Sequence, residues 1–458
     1  MELNDMTQHI DELHAKRDIK ALKHYLNELN PADIAQLLEE IEDERKRIFF
    51  FRLLTKENAA ETFVEFDSDT QENLISAFSD AELKEVLDEL YADDAADIVE
   101  EMPASVVKRI LKNTDLETRK TINTLLKYPD DSAGSIMTTE FVDLKRDMTV
   151  EDAFKRIRRT GVDKETIYTC YITDASRHLL GVTTVKELLL HDYDDLIEEF
   201  METNVISVNT LDDQEKASGL LQKYDFLALP VVDMENRLVG IITIDDALDV
   251  LQEENTEDIH KMNAIVRTSE KPYLKIGVFD TWKSRIPWLM LLMISATFTG
   301  MIITGFEDKL SAMIVLTAFI PMLMDTGGNA GGQASVTIIR GMSLGDIELK
   351  DVLGVIWKET RVSLLCGITL AVVNFGKIML VDRLILGNTE ITAMVALVVC
   401  LTLVLAVFIA KLIGCSLPIA AKAIGFDPAV MASPFITTIV DAISLLAYFL
   451  IAQALLHI

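Results

Sequence analysis

Pro321-Met-Leu-Met-Asp325-Thr-Gly-Gly-Asn329-Ala-Gly-Gly-Gln333-Ala-Ser335 continues an apolar run that begins at Leu310. Glycine weakens a helix, and Asp325 and Asn329 are costly in hydrocarbon, so this is an odd segment to set against lipid. At helical spacing Asp325, Gly328, Asn329, Gly332 and Gln333 share one face. Small residues on that face let a second backbone approach, while carboxylate and amide oxygens point inward. Packing alone does not need Asp, Asn and Gln together. The pattern reads as one wall of a polar path through a membrane.

The flanking sequence supplies the rest of a membrane domain over 281–458. Ile286–Gly305 is twenty residues without a charge, the length that spans a bilayer core. Five spans are expected, near 286–305, 310–340, 362–383, 391–412 and 433–456. Lys283, Arg285, Arg340, Lys350, Lys358, Arg361, Lys411 and Lys422 fall on one side of these spans, and Lys309 and Arg383 on the other. The positive-inside rule then puts the N-terminal half in the cytoplasm and the C-terminus outside. Trp282, Trp288 and Trp357 fall at the cytoplasmic boundary, as an aromatic belt would. The first residues, Met1-Glu2-Leu3-Asn4-Asp5, do not read as a signal peptide, which suits a bacterial inner membrane.

The last expected span carries a second polar stripe. Pro434, Thr437, Thr438, Asp441 and Ser444 recur at helical spacing, and Asp441 has no basic neighbour one turn away. Such a carboxylate is expected to face a water-filled cavity, where a bound cation would compensate it. Pairing with Lys377 of the third span is the structural alternative. The donors on both stripes are oxygens, which disfavours zinc and copper. One carboxylate per wall amid hydroxyls and amides suits a hydrated Mg2+ better than Ca2+. The candidate pore ligands are therefore Asp441, Thr437, Thr438, Asn329, Asp325, Gly328 and Gln333.

The charge is distributed unevenly. The formal net charge is −30, and all of it lies before residue 283. That acidity excludes a nucleic-acid partner, which would need a basic patch. The four cysteines lack metal or redox spacing, and no nucleophile–base pair or phosphate loop marks an enzyme. Residues 1–129 read as helices, and the likeness of 31–41 to 93–102 suggests stacked hairpins of a short superhelix. A clearer duplication follows. Leu180-Gly-Val-Thr-Thr-Val-Lys-Glu-Leu188 aligns with Val239-Gly-Ile-Ile-Thr-Ile-Asp-Asp-Ala247, at an offset of 59 residues. Each copy follows an extended run and an Asp-rich turn, implying two small α/β units over 130–199 and 200–252. This resembles a pair of CBS domains. In that family a Thr-x-x-Asp after the glycine can hold a nucleotide ribose. Thr243–Asp246 matches it, whereas Thr184–Glu187 departs, so ATP is a candidate ligand beside the alternative of a helix cap. A mostly helical connector is expected over 253–280.

The two membrane motifs, Asp325–Ser335 and Asp427–Asp441, together with this domain order, resemble the MgtE family of Mg2+ channels over the whole chain. The resemblance implies a homodimer with a pore on its axis, lined by spans two and five. It makes Asp441 the principal ligand, with Asn329 and Thr437 nearby. Gly332 departs from some relatives, which carry Asn there. A compact chain this acidic repels itself unless cations bridge it. Asp93, Asp97, Asp213, Glu215, Asp225, Asp246, Asp249, Glu257 and Asp258 are the expected regulatory Mg2+ ligands, closing the pore when cytosolic Mg2+ is high. Two other readings are an ion-coupled divalent-cation transporter using Asp325 and Lys377, and a membrane-tethered CBS nucleotide sensor.

Overall fold

The computed structural model describes residues 3–266, 273–307, 313–431 and 433–457. It separates into two compact units, Met1–Glu253 and Glu254–Ile458.

The first unit opens with short helices from Leu3–Ala15 to Leu116–Leu125. Their starts are written locally. Asp18, Asn30, Asp43, Thr55, Asp67 and Asp115 each accept a hydrogen bond from the first turn of the helix they precede. Ser79 and Glu82 close a reciprocal capping box. Alternate helices pack on one another: Pro31–Glu39 on Lys56–Val64, that helix on Asp80–Leu87, that one on Ala104–Asn113, and Leu116–Leu125 on Ala92–Glu101. This is the stacking of a short superhelix. Its core is built from fully buried leucines and isoleucines and from a phenylalanine cluster in which Phe51 and Phe78 stack at 5.5 Å.

The duplication at an offset of 59 residues holds in the backbone of the two hairpins. Strands β1 (Val142–Leu144), β2 (Thr169–Thr173) and β3 (Leu179–Thr184) form one three-stranded sheet. Strands β4 (Val208–Asn209), β5 (Ala228–Val232) and β6 (Leu238–Thr243) form the other, with the same order. In each the first pair is parallel and the second antiparallel, with a bulge at Ile172/Thr173 and again at Val231/Val232. In each hairpin an aspartate makes the same turn. Asp174 accepts from the amides of Ser176 and His178, and Asp233 from those of Glu235 and Arg237. Arg177 and Asn236 then take matching left-handed conformations, φ 68° and 62°.

The two sheets also complete one another. Thr138, ahead of the first unit's β1, bridges Ile241 in β6, and Glu202, ahead of β4, bridges Val182 in β3. Glycine permits this crossing. A Cβ on Gly240 would lie 2.7 Å from the Thr138 carbonyl oxygen, and one on Gly181 would lie 3.0 Å from that of Glu202.

The helix after β6 runs unbroken over Ile244–Met262. The separate connector expected from residue 253 is thus not a separate helix at its start. No Gly or Pro interrupts 244–262, so the last helix of the second α/β unit simply continues. Residues 267–272 of the expected connector lie outside the described residues, and Val278 already begins the next long helix.

Among the described residues of the second unit four helical stretches are long and apolar enough to cross a membrane: Val278–Gly305, Leu349–Ile385, Ala393–Ala423 and Pro428–Leu456. A fifth helix, Ile320–Ser343, carries the glycine-rich motif and packs along Ala393–Ala423 and Ser433–Leu456. Its expected start at Leu310, like Lys309, lies outside the described residues. The Ala393–Ala423 helix is the hub, packed on three of the others. Tyr448, fully buried, donates from its hydroxyl to the Leu316 carbonyl at 3.0 Å and ties the last helix to the turn that precedes the glycine-rich one.

The crossed sheets yield a sharp contrast between two glycines. Gly240→Ala is expected to destabilise the first unit by about 2 kcal/mol, because backbone oxygen cannot yield as a side chain can. Gly219→Ala, in a helix with open space around it, should stabilise by up to about 1 kcal/mol. Denaturant midpoints of the two variants against the parent check this, and equal effects would refute the packing argument.

Candidate functional site

The polar faces of the Ile320–Ser343 and Ser433–Leu456 helices are brought together. A Cβ on Gly328 would meet Thr437 Cγ2 at 2.8 Å, and one on Gly327 would meet Val440 and Ser444 at 3.1 and 3.4 Å. The glycines therefore set how closely the two backbones approach. Asp441 is half-buried on this contact face, within electrostatic range of Asp325, and its Oδ1 is enclosed with no hydrogen-bond partner. Ser444 Oγ and Ser335 Oγ are likewise buried and unpartnered. A carboxylate with an unpartnered oxygen, with Ser444 on the same contact face, can accept a hydrated cation. Asn329 and Gln333 are exposed on the same helix as Asp325, one and two turns on. Thr438 is different: its hydroxyl donates to the Pro434 carbonyl at 3.1 Å and so serves its own helix. Lys377 does not approach Asp441; it pairs with Asp382 at 2.8 Å.

One feature escaped the hydropathy reading. Lys411, counted above as a basic flank of the fourth span, lies well inside the Ala393–Ala423 helix, buried beside a buried Glu359 at 3.5 Å. A lysine at the end of an apolar window looks like a boundary, and its partner lies far back in the chain.

The first unit holds a second cluster. Asp93, Asp94 and Asp97, on the Ala92–Glu101 helix, face Asp245 and Asp246 at the start of the helix after β6, with Glu165 and Glu140 beside them. Burial is the main influence, reinforced by like charge. It pushes Asp94 up to about 7 and Asp97 and Glu165 up to about 8. Asp93 is held well above the usual carboxylate range for the same reasons, and its buried Oδ1 has no partner. Burial also raises Asp249, with Asp245 adding to it. Asp94 was legible, being three residues before Asp97; Glu165 was not, since it lies in a loop that only tertiary packing brings here.

The other expected regulatory residues behave differently. Asp213 caps the Gln214–Tyr224 helix by accepting from the Glu215 amide at 2.8 Å, and Asp225 ends that helix in the left-handed region. Neither is among the largest charge influences on Asp93, Asp94 or Asp97. Glu257 and Asp258 lie in the second unit. There Lys261 bridges Glu257 at 2.9 Å and Asp427 at 2.8 Å. The Thr243 hydroxyl donates to Asp246, so the two candidate ribose contacts are bonded to each other.

The sign of the pH effect follows from these shifts. Carboxylates raised in the folded state bind protons that the unfolded chain, with values near 4, has already lost. Their contribution is present at low pH and lost as pH rises through about 7 to 8. Without divalent cations, hydrogen exchange of the Ala92–Glu101 segment, corrected for intrinsic rate, should quicken between about pH 5 and about pH 9. Millimolar Mg2+ should reverse this at the alkaline end, and Asp97→Asn should flatten the profile.

Comparison with known proteins agrees with the layout. Residues 320–451 match a family model described as a divalent cation transporter (MgtE), 29–131 match the MgtE intracellular N domain, and 133–194 and 197–253 match CBS domains. The chain is 37% identical to the magnesium transporter MgtE of Thermus thermophilus over 96% of both chains. It is 32% identical to that of Bacillus subtilis over 96% of this chain and 95% of the relative. Two solved structures resemble its N-terminal part. One, the soluble part of a magnesium transporter, is 30% identical with a TM-score of 0.52, covering 55% of this chain and 99% of its own. The other, the cytosolic domain of the Mg2+ channel MgtE in complex with ATP, is 36% identical with a TM-score of 0.51, covering 53% and 99%. The chain belongs to the MgtE family of magnesium transporters.

Proposed function

We propose that this chain conducts Mg2+ through a homodimeric pore. Five helices of each protomer cross the membrane, with the N-terminal half in the cytoplasm and the C-terminus outside. The observation that carries the reading is Asp441: an enclosed carboxylate oxygen without a partner, on the face where the last helix meets the glycines of the Ile320–Ser343 helix. A cation is the missing complement. Asn329 and Thr437 supply neutral oxygens, while Asp325 adds negative charge further along. Mg2+ surrenders its waters reluctantly, so a site with one carboxylate and several neutral oxygens favours a largely hydrated ion over direct coordination.

The acidic first unit would act as the gate. Two carboxylates about 4 Å apart repel by roughly 1–4 kcal/mol in partly buried surroundings. Mg2+ bridging Asp93, Asp94 and Asp97 to Asp245, Asp246 and Asp249 would remove that repulsion and favour the compact form. Because the ion has many ligands in one state and few in the other, it biases the equilibrium. Within the second unit, Lys261 ties the end of the Ile244–Met262 helix to Asp427, just ahead of the last membrane helix, and Arg340 donates to Asn255 at 2.8 Å. That supports a route by which the helix reports to the pore. Nucleotide at Thr243 and Asp246 would have to compete with their mutual hydrogen bond and with the acidic cluster.

Two measurements test this. In proteoliposomes with an entrapped Mg2+ indicator, the parent should take up Mg2+ at low Mg2+ on the cytosolic-domain side, and Asp441→Ala should lower uptake by on the order of a hundredfold; equal flux would discard the pore assignment. Limited proteolysis over residues 252–280 should slow in millimolar Mg2+, and slow less in Asp97→Asn. A cleavage rate indifferent to Mg2+ would reject the gating scheme.

A further inference from the structure

A cavity of about 870 Å3 opens between the Ile320–Ser343, Val352–Lys377 and Ala393–Ala423 helices. Asn329, Gln333 and Thr337, on successive turns of one helix, contribute oxygens to its wall. Thr337 spends its proton on the Gln333 carbonyl, at 2.8 Å, which leaves its hydroxyl oxygen free to accept. Among the described lining residues two are charged, Glu359 and Lys411, and they face one another at 3.5 Å. Both are more than nine-tenths buried, at 9% and 6% exposure.

This pair is poorly made for stability alone. A buried ion pair offsets its desolvation when the geometry is tight and further hydrogen bonds satisfy both groups. Here the contact is long, and the enclosed Glu359 Oε2 accepts no hydrogen bond. The carboxylate thus keeps lone pairs free in a polar, roomy cavity, and an ammonium stands where a cation would. A buried ionisable residue on a membrane helix, in such a setting, marks an ion pathway. The cavity shares Asn329 with the wall that leads from Asp441 and carries the same stripe on by two further turns.

We propose that Glu359 is a second divalent-cation station on the transport route, with Asn329, Gln333 and Thr337 as its neutral oxygen ligands. Lys411 is its tethered stand-in, occupying the carboxylate when no ion is there and swinging away when one arrives. The site takes a hydrated divalent cation, since one carboxylate and neutral oxygens can hold an ion that retains water. The proposal rests on the reading of the chain as a Mg2+ pore.

The test is Mg2+ influx into proteoliposomes by the full chain, with melting temperature in detergent as a check of folding. Lys411→Met uncovers the carboxylate and should lower the half-saturating Mg2+ concentration by on the order of tenfold. Glu359→Gln leaves the ammonium unopposed and should suppress flux; if it fails to fold, the double variant still decides. Glu359→Gln with Lys411→Met removes both charges, and should fold, lose the gain of Lys411→Met and half-saturate above the parent. The inference is overturned if folded Lys411→Met half-saturates as the parent does, or if the double variant transports indistinguishably from it. A parent that takes up no Mg2+ would instead sink the transport reading itself, whatever the variants do.

Discussion

A carboxylate withdrawn from water without a counter-charge must find a proton, a cation or a lysine, and both halves of this molecule are organised around that constraint. In the first unit the helix Ala92–Glu101 presents three aspartates to the start of the helix after β6, where more aspartates wait. In the second, Asp441 sits against glycines that bring two backbones together and leave its Oδ1 unmet. Glu359 has a lysine, but at a distance that leaves it half satisfied. These are three different answers to one electrostatic problem. In the first unit burial and like charge favour the protonated forms of Asp97 and Glu165.

The same arithmetic is why we propose a divalent ion as the regulator. An acidic interface with several buried carboxylates is unstable when ionised and short of donors when protonated. A small, hard cation resolves both difficulties at once, and does so only in the arrangement that gathers the ligands.

How far this was legible in sequence depends on the range of the interactions. The duplication at an offset of 59 residues was visible because turn chemistry is local: Asp174 and Asp233 dictate matching hairpins through their own neighbouring amides. The two membrane stripes were visible because helical periodicity places Asp325 with Asn329, and Thr437 with Asp441, on shared faces. Asp213 shows where local reading stops. A helix cap also looks like an available carboxylate until its amide partner is known. Lys411 and Glu165 were out of reach. Each owes its role to a residue distant in the chain, and hydropathy alone turned Lys411 into a helix end. The expected start of the connector at 253 falls inside the Ile244–Met262 helix, because nothing in 244–262 signals a break in helical periodicity.

The crossing of the two small sheets has a consequence for how the chain is made. Thr138 finds its partner in Ile241, which emerges from the ribosome about a hundred residues later. At synthesis rates of about 5–20 residues per second that is a wait of roughly 5–20 s, during which the first α/β unit has an unmatched edge and an uncovered apolar face. The chain that emerges next is the remainder of a helix and then Val278–Gly305, a segment destined for lipid. The soluble half therefore completes its pairing only as the first membrane helix nears the exit of the ribosome. Folding and insertion fall due at nearly the same moment, and a delay in either leaves the other exposed.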